Sequence, residues 1–408
     1  PLTRAAKYRV KGAVDNMKSA RGRLFPQLST GYSADRIISE SAEGPSDADY
    51  LDQDKNTFHV GLSQILYSGA KLFTQYEKAR ARKELYQARK EMSEIELVYN
   101  IESAFLKLMK AKEDVAAAQD MVNRLESGVD AVKAYFESRM VPYVQVLEAK
   151  LELSSALQEL NKTRNTVKKE YANLVSILNM PGSRDVEFKG GLSYYPPGFS
   201  TGYDRLWKAA LSSRPDLLSL EKQKVMAKKQ AEIEKAAYLP TVKLNAGYYD
   251  TRRDYKDPGE NFSGTYDRDQ ENRYWQVGVS VQWDLFDGGT SWYSRSRELN
   301  ELRALEQEIT SAEIPIKARA QQELLTVKEA ASRVDTTSEA VQVAKEYYQG
   351  EKMRLEKEVS TVPALLDAQA RLTQSRADYN NALFDYQLAM ASLNSMMGSR
   401  ELVEFNRQ

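Results

Sequence analysis

Apolar side chains recur at a strict 4-3 spacing through Leu97, Ile101, Ala104, Leu108, Ala111, Val115, Ala118, Val122, Leu125, Val129, Val132 and Phe136. That repeat keeps one apolar stripe against a neighbour along a supercoil. From about residue 71 to 139 there is no proline and Gly128 is the one glycine. The pattern predicts a helix of about 100 Å at 1.5 Å per residue, long enough to need a coiled-coil partner. A second stripe follows Ile316, Ala320, Val327, Ala330, Val334, Val341, Ala344 and Tyr348, interrupted at Glu323 and Thr337. Return helices keep the heptad phase at Leu153, Leu157, Leu160, Val167, Tyr171, Leu174 and Leu178, with Arg164 filling one position. The later return helix does so at Leu372, Tyr379, Leu383, Tyr386, Met390, Leu393 and Met397, with Arg376. Pro142 and Pro363 are expected at the two helical tips, and Pro315 is expected to kink the second long helix.

Elsewhere the period drops to two. Phe58, Val60 and Leu62 alternate with His59, Gly61 and Ser63, and Trp275, Val277, Val279, Val281 and Trp283 alternate with Gln276, Gly278, Ser280 and Gln282. Val242, Leu244, Ala246 and Tyr248 oppose Thr241, Lys243, Asn245 and Gly247. An apolar outer face, a polar lumen and aromatic ends mark a transmembrane barrel strand, although a soluble sandwich strand taken alone reads similarly. The polar face assigns His59, Gln276, Ser280 and Gln282 to the lumen. Four strands per chain fall short of the eight or so from which closed barrels begin. Three copies would supply twelve strands and six helical hairpins.

The two halves repeat at about 217 residues. Leu24-Phe25-Pro26 is answered by Tyr238-Leu239-Pro240, Leu66-Tyr67-Ser68-Gly69 by Leu285-Phe286-Asp287-Gly288, Val146-Leu147-Glu148-Ala149-Lys150 by Leu365-Leu366-Asp367-Ala368-Gln369, and Leu178-Asn179 by Leu393-Asn394. This divides the chain into barrel hairpins at 24–67 and 240–286 with exterior loops at 35–57 and 250–273. Helices of an α-barrel occupy 1–23, 68–180, 203–239 and 287–398. The Pro-, Gly- and Tyr-rich segment 181–202 and residues 399–408 form an equatorial region. Pro1 stands 25 residues before Pro26 as Pro215 stands 25 before Pro240, so the counterpart of 203–214 is expected upstream of Pro1.

Composition narrows the function. Mean hydropathy is −0.60 and no run approaches the ~20 apolar residues of a membrane-spanning helix, so entry into a bilayer would have to be as a β-barrel. Basic and acidic residues both total 58, which gives nucleic acid no electrostatic purchase. There is no cysteine and His59 is the one histidine, so thiol chemistry and a His-rich metal site are excluded within one chain, and the alternation around His59 places it on the polar face of a strand, which favours lining a lumen over catalysis. Gly288-Gly289 lacks the Lys-Ser/Thr of a phosphate loop and reads as a tight turn. No catalytic group, cofactor or metal site is expected.

With these elements in order, the chain resembles the TolC-like outer membrane efflux protein (outer membrane factor) family. The resemblance is carried by Arg214-Pro215-Asp216-Leu217 running to Leu239-Pro240, by the turns at Ser68-Gly69 and Asp287-Gly288-Gly289, and by the tips Val141-Pro142-Tyr143 and Ser360-Thr361-Val362-Pro363. It implies an α+β membrane protein: a trimeric twelve-stranded β-barrel continuous with a periplasmic α-helical barrel of coiled-coil hairpins. It also implies an outer-membrane location in a Gram-negative bacterium, contact with outer-membrane lipid, a periplasmic adaptor (membrane fusion) protein and an inner-membrane pump or ABC exporter. Family members narrow the periplasmic end with acidic rings. Asp367 falls on one such position, Ala364 occupies the other, and Gln145 stands where the first tip often carries an aspartate. Without the resemblance, Asp367 would read as capping or solvating a surface turn.

The resulting expectation is a passive outer-membrane exit duct of a tripartite efflux pump or type I secretion system. Its periplasmic gate is at Asp367, and its adaptor contacts are at Arg139, Met140, Val141, Pro142, Tyr143, Ser360, Thr361, Val362 and Pro363. The alternative is a soluble coiled-coil structural or adaptor protein.

Overall fold

The computed structural model describes residues 2–41, 49–180, 186–194, 203–255, 270–357 and 359–399. Each half runs strand, strand, long helix, return helix, preceded by one α-helix in the first half and two in the second. The first half contains α1 (Leu2–Gly22), β1 (Gln27–Ser41), β2 (Asp49–Tyr67), α2 (Lys71–Glu137) and α3 (Tyr143–Ile177). The second half contains α4 (Tyr203–Ser213), α5 (Pro215–Lys235), β3 (Thr241–Tyr255), β4 (Gln270–Gln282), α6 (Thr290–Glu356) and α7 (Val362–Met396). α2 and α6 are both 67 residues long and α3 and α7 both 35, so the duplication is preserved in element length. Pro315 lies inside α6, which continues through it. The missing hydrogen bond is tolerated where the next residue, Ile316, is buried in the helical core.

The chain forms two compact units, one at Lys7–Gln87 and Ser219–Ile309. Among the described residues this unit holds a single antiparallel sheet in the order β1-β2-β3-β4, so the two hairpins join through β2 and β3 and leave one side of β1 and of β4 unpaired. Residues directly opposite in a ladder share a face. One face therefore collects Leu28, Leu62, Ala246 and Val277 at one level and Val60, Tyr248 and Trp275 at the next. Trp275 is 78 % and Val277 73 % exposed, which places a broad apolar surface in the open.

The ladders extend well into the segments expected as loops. Residues 35–41 and 49–57 belong to β1 and β2, while 250–255 and 270–273 belong to β3 and β4. The remaining loop residues lie outside the described part of the chain. Polarity suggested loops here because the charged residues that cause it pair across strands. Arg36 donates to Asp52 at 2.8 Å, Arg273 lies 3.3 Å from Asp250, and Arg252 lies 3.2 Å from Glu271. Opposite charges facing one another stabilise a ladder that isolated charges would weaken.

The other unit comprises Pro1–Ala6, Ala88–Leu218 and Thr310–Gln408. Its core follows the predicted seams. Ala104, Leu108, Ala111, Val122, Leu125, Val129 and Val132 are buried on α2, while Val115, Ala118 and Ile101 are partly covered. Ile316, Ala320, Val327 and Val334 of α6 pack with Leu383, Tyr386 and Leu393 of α7, and with Leu206 and Ala210 of α4. The two arginines that interrupted the return stripes point to polar partners instead: Arg164 donates to Gln119 and Arg376 to Asp120, both at 2.8 Å.

Residues 186–194, part of the segment expected to be equatorial, contact both return helices. Phe188 packs edge-on to Tyr171 of α3, and Tyr194 packs edge-on to Tyr386 of α7 with centroids 5.0 Å apart. Tyr195, Pro196 and Pro197 lie outside the described residues, as do 400–408. One correspondence needs correcting. α3 and α7 align at a spacing of 219, which makes Met397-Gly398, not Leu393-Asn394, the counterpart of Leu178-Asn179. Both Asn179 and Gly398 have positive φ, 52° and 73°, in matching Schellman ends. Leu393-Asn394 lies one helical turn earlier on the same face, which gives it the same local pattern.

Candidate functional site

No group of three or more His, Cys, Asp or Glu among the described residues could hold a metal ion. No described helix is long and apolar enough to cross a membrane. The candidate features are the two tips, the acid at Asp367 and the polar face of the sheet.

The first tip leaves α2 through a Schellman turn: Met140 N–H donates to Tyr135 O and Arg139 N–H to Phe136 O, both at 2.9 Å. Arg139 takes the left-handed position at φ 61°. Pro142 then caps α3 in extended conformation, with φ −73° and ψ 154°. Met140 and Tyr143 are more than half exposed, and a depression of about 580 Å³ is lined by Phe136, Glu137, Arg139, Met140, Val141 and Pro142. Gln145 donates its N–H to Pro142 O at 3.1 Å in the first turn of α3.

The second tip is held by a buried carboxylate. Glu351, 6 % exposed, accepts from Ser360 Oγ at 2.5 Å and from Arg354 at 2.9 Å. Thr361 and Pro363 start α7 and are exposed. Val362 departs from the expected role as a surface contact. It is 3 % exposed because the first turn of α7 packs it against Val129, Val132, Val146 and Ala149. That cluster sets the two tips side by side. Sequence reasoning missed it, because it depends on contact between the hairpins rather than within either seam.

Asp367 lies in the second turn of α7, exposed, and is not a helix cap. It accepts from Arg371 Nε at 2.8 Å, one turn along. That hydrogen bond raises the pKa of the guanidinium further. Ala364 stands one turn earlier and is partly covered.

The sheet register places His59, Gln276 and Ser280 on one face as expected, together with Gln282 at the end of β4. The strand-to-helix turns below it match in both halves. Gly69 and Ala70 have φ of 60° and 64°, and Gly288 and Gly289 have 67° and 84°. Asp287 caps α6 by accepting N–H bonds from Gly289 at 3.0 Å and Ser291 at 2.8 Å. Bonding to Ser291 first, and to backbone N–H groups, holds its carboxyl below the ordinary aspartate value. The expected tight turn is thus present.

Comparison with known proteins gives one consistent answer. The model of the family described as outer membrane efflux protein matches residues 1–180 and 206–399. The chain is 21 % identical over 392 residues to the outer membrane protein TolC of Vibrio cholerae serotype O1, covering 95 % of this chain and 85 % of the relative. Among solved structures, the outer membrane protein VceC of Vibrio cholerae superposes with a TM-score of 0.77 at 16 % identity, covering 97 % of this chain and 93 % of that one. The open state of the Neisseria gonorrhoeae MtrE outer membrane channel gives 0.75 at 18 % identity, covering 97 % and 86 %.

Proposed function

This chain belongs to the outer membrane efflux protein family, a family of channels and not of enzymes, and on that premise we propose that it is a passive exit duct. Its location is the outer membrane with a periplasmic extension. In the proposed assembly three copies close a twelve-stranded barrel, and an adaptor joins the helical tips to an inner-membrane pump or ABC exporter of a tripartite efflux or type I secretion system.

One observation carries the reading. The four-stranded sheet exposes a broad apolar face while β1 and β4 each keep an unpaired edge. Unpaired backbone groups are not tolerated in lipid, so a sheet that enters the bilayer must close. Closure by further copies of the same four strands satisfies both edges at once. The soluble alternative leaves Trp275, Val277, Val279 and Val281 facing water.

The tips support the adaptor assignment by their chemistry. Arg139, Met140, Pro142 and Tyr143 offer exposed apolar surface beside one cation, and Ser360, Thr361 and Pro363 lie beside them through the Val362 cluster. Asp367 is assigned to the periplasmic constriction, where three copies would concentrate negative potential. Arg371 tempers that potential without cancelling it, since an exposed pair is only weakly coupled in water.

Native mass measurement in detergent tests the assembly, with a trimer expected; a stable folded monomer would refute it. Cysteines at Met140 and Thr361 should crosslink to the adaptor in cells. Crosslinking found only elsewhere on the chain would move the docking surface.

A further inference from the structure

The sheet face assigned above to the lumen concentrates its rings at one register level. Gly31, His59, Tyr249 and Tyr274 stand opposite one another across β1, β2, β3 and β4. His59 and Tyr249 stack with centroids 5.9 Å apart and planes 20° apart, and Tyr249 and Tyr274 stack at 5.2 Å and 14°. The level on one side is Ser29, Gly61, Gly247 and Gln276; the level on the other ends in Thr251 and Asn272. Neither adjoining level carries a charge.

Part of this row has a structural explanation. A Cβ on Gly31 would collide with the His59 imidazole, and one on Gly247 would lie 3.0 Å from Tyr249 Cε2, so those two rings cover glycines. Tyr274 is not among the nearest atoms to any described glycine. Gly278 on its own strand has nothing within 4 Å of a built Cβ, and Tyr274 stays 42 % exposed. Within one chain the stack therefore ends in an open ring, which in the proposed closed barrel stays on the lumen face.

We infer that this row is a contact site for planar aromatic cations in transit, an inference that rests on the duct reading. A tyrosine ring attracts a cation to its face and stacks against planar solutes, each contact contributing about 0.5–1.5 kcal/mol. Contacts of that size delay cargo without trapping it. Uncharged neighbouring levels leave the ring quadrupole as the local electrostatic feature that favours a cation. The selected class is thus planar and cationic, as distinct from cations in general.

The test uses the reconstituted wild-type protein in planar bilayers, with ethidium or the non-aromatic tetrapropylammonium added on the exterior side. Ethidium should block with the longer dwell time. Tyr274→Gln should shorten ethidium dwell about two- to tenfold and tetrapropylammonium dwell by less, since the latter loses the cation–ring attraction but no stacking, while Tyr274→Phe keeps the wild-type dwell. If Tyr274→Gln does not insert, Tyr249→Leu, which keeps an apolar cover on Gly247, carries the same comparison. Equal dwell for the two cations in wild type, or unchanged ethidium dwell in the ring-removing variant, overturns the inference. Absence of any wild-type conductance would instead refute the duct reading.

Discussion

The guanidinium of Arg214 donates to the main-chain carbonyl of Met396 at 3.0 Å and to both carboxylate oxygens of Asp216, at 3.0 and 2.6 Å. It thus ties the α4–α5 junction to the last turn of α7, where Ser213 Oγ also donates to Met397 O at 2.6 Å. A lysine cannot reproduce this planar fork. Arg214→Lys is expected to destabilise the helical unit by about 2 kcal/mol, the scale of a lost hydrogen bond from a charged group. Chemical unfolding followed by circular dichroism, with an unchanged midpoint, would show that the tie contributes nothing.

The same pair predicts a pH dependence. Burial pushes the Asp216 carboxyl up, but the hydrogen bonds and charge of Arg214 outweigh it and leave the pKa below its ordinary value. A depressed folded-state pKa contributes stability that is complete above the unfolded value of about 3.9 and is lost as pH falls through the folded value. Melting temperature should therefore fall in that acid window. Asp216→Asn should remove part of the fall, and identical profiles for the two proteins would exclude Asp216 as a contributor.

Two non-glycine residues occupy left-handed backbone positions at functional turns, Ala70 at φ 64° and Arg139 at φ 61°. The counterpart of Ala70 in the second half is Gly289. Ala70→Gly should relieve about 1 kcal/mol of steric cost, offset in part by the greater freedom of glycine in the unfolded chain. A small rise in thermal stability is expected, and a loss of more than a degree or two would mean that the Ala70 methyl makes contacts the turn depends on.

Gly31→Val places a branched side chain where the His59 imidazole lies. The ring must leave its stack with Tyr249, so less assembled protein is expected in outer-membrane fractions. Replacing His59 with Ala in the same chain should restore assembly; a double variant as poor as the single one would place the defect elsewhere.

At the acid on α7, Asp367→Asn should lower cation selectivity and block by multivalent cations in planar bilayers, with assembly intact. Arg371→Gln should move both the other way, since it removes the nearby compensating charge. Unchanged selectivity in both variants would take Asp367 out of the constriction.

Much of the fold was legible in period alone, because burial obeys it. The 4-3 stripe of α2 predicted Leu108, Val122 and Val132 in the core, and all three are buried. Alternation in β4 separated Trp275 and Val277 from Gln276 and Gly278 before any register was known. What remained hidden depends on pairing between segments far apart in sequence. Arg36 and Asp52 look like loop residues until the β1–β2 ladder brings them diagonally together. His59, Tyr249 and Tyr274 become a row only once both hairpin registers are set. Val362 looked like a surface tip residue because its cover comes from the other hairpin. The tie from Arg214 to Met396 spans 182 residues and leaves no local signature.

The two unpaired strand edges also carry a genetic consequence. A subunit whose β1 or β4 edge is spoiled, for instance by proline, would still offer its sound edge to normal subunits and poison the ring it enters. With equal amounts of both alleles and random mixing into threes, about one ring in eight would be free of the faulty copy. Such an allele would behave as a dominant negative even though the altered polypeptide has no activity of its own, and its severity would track the dosage of the normal gene.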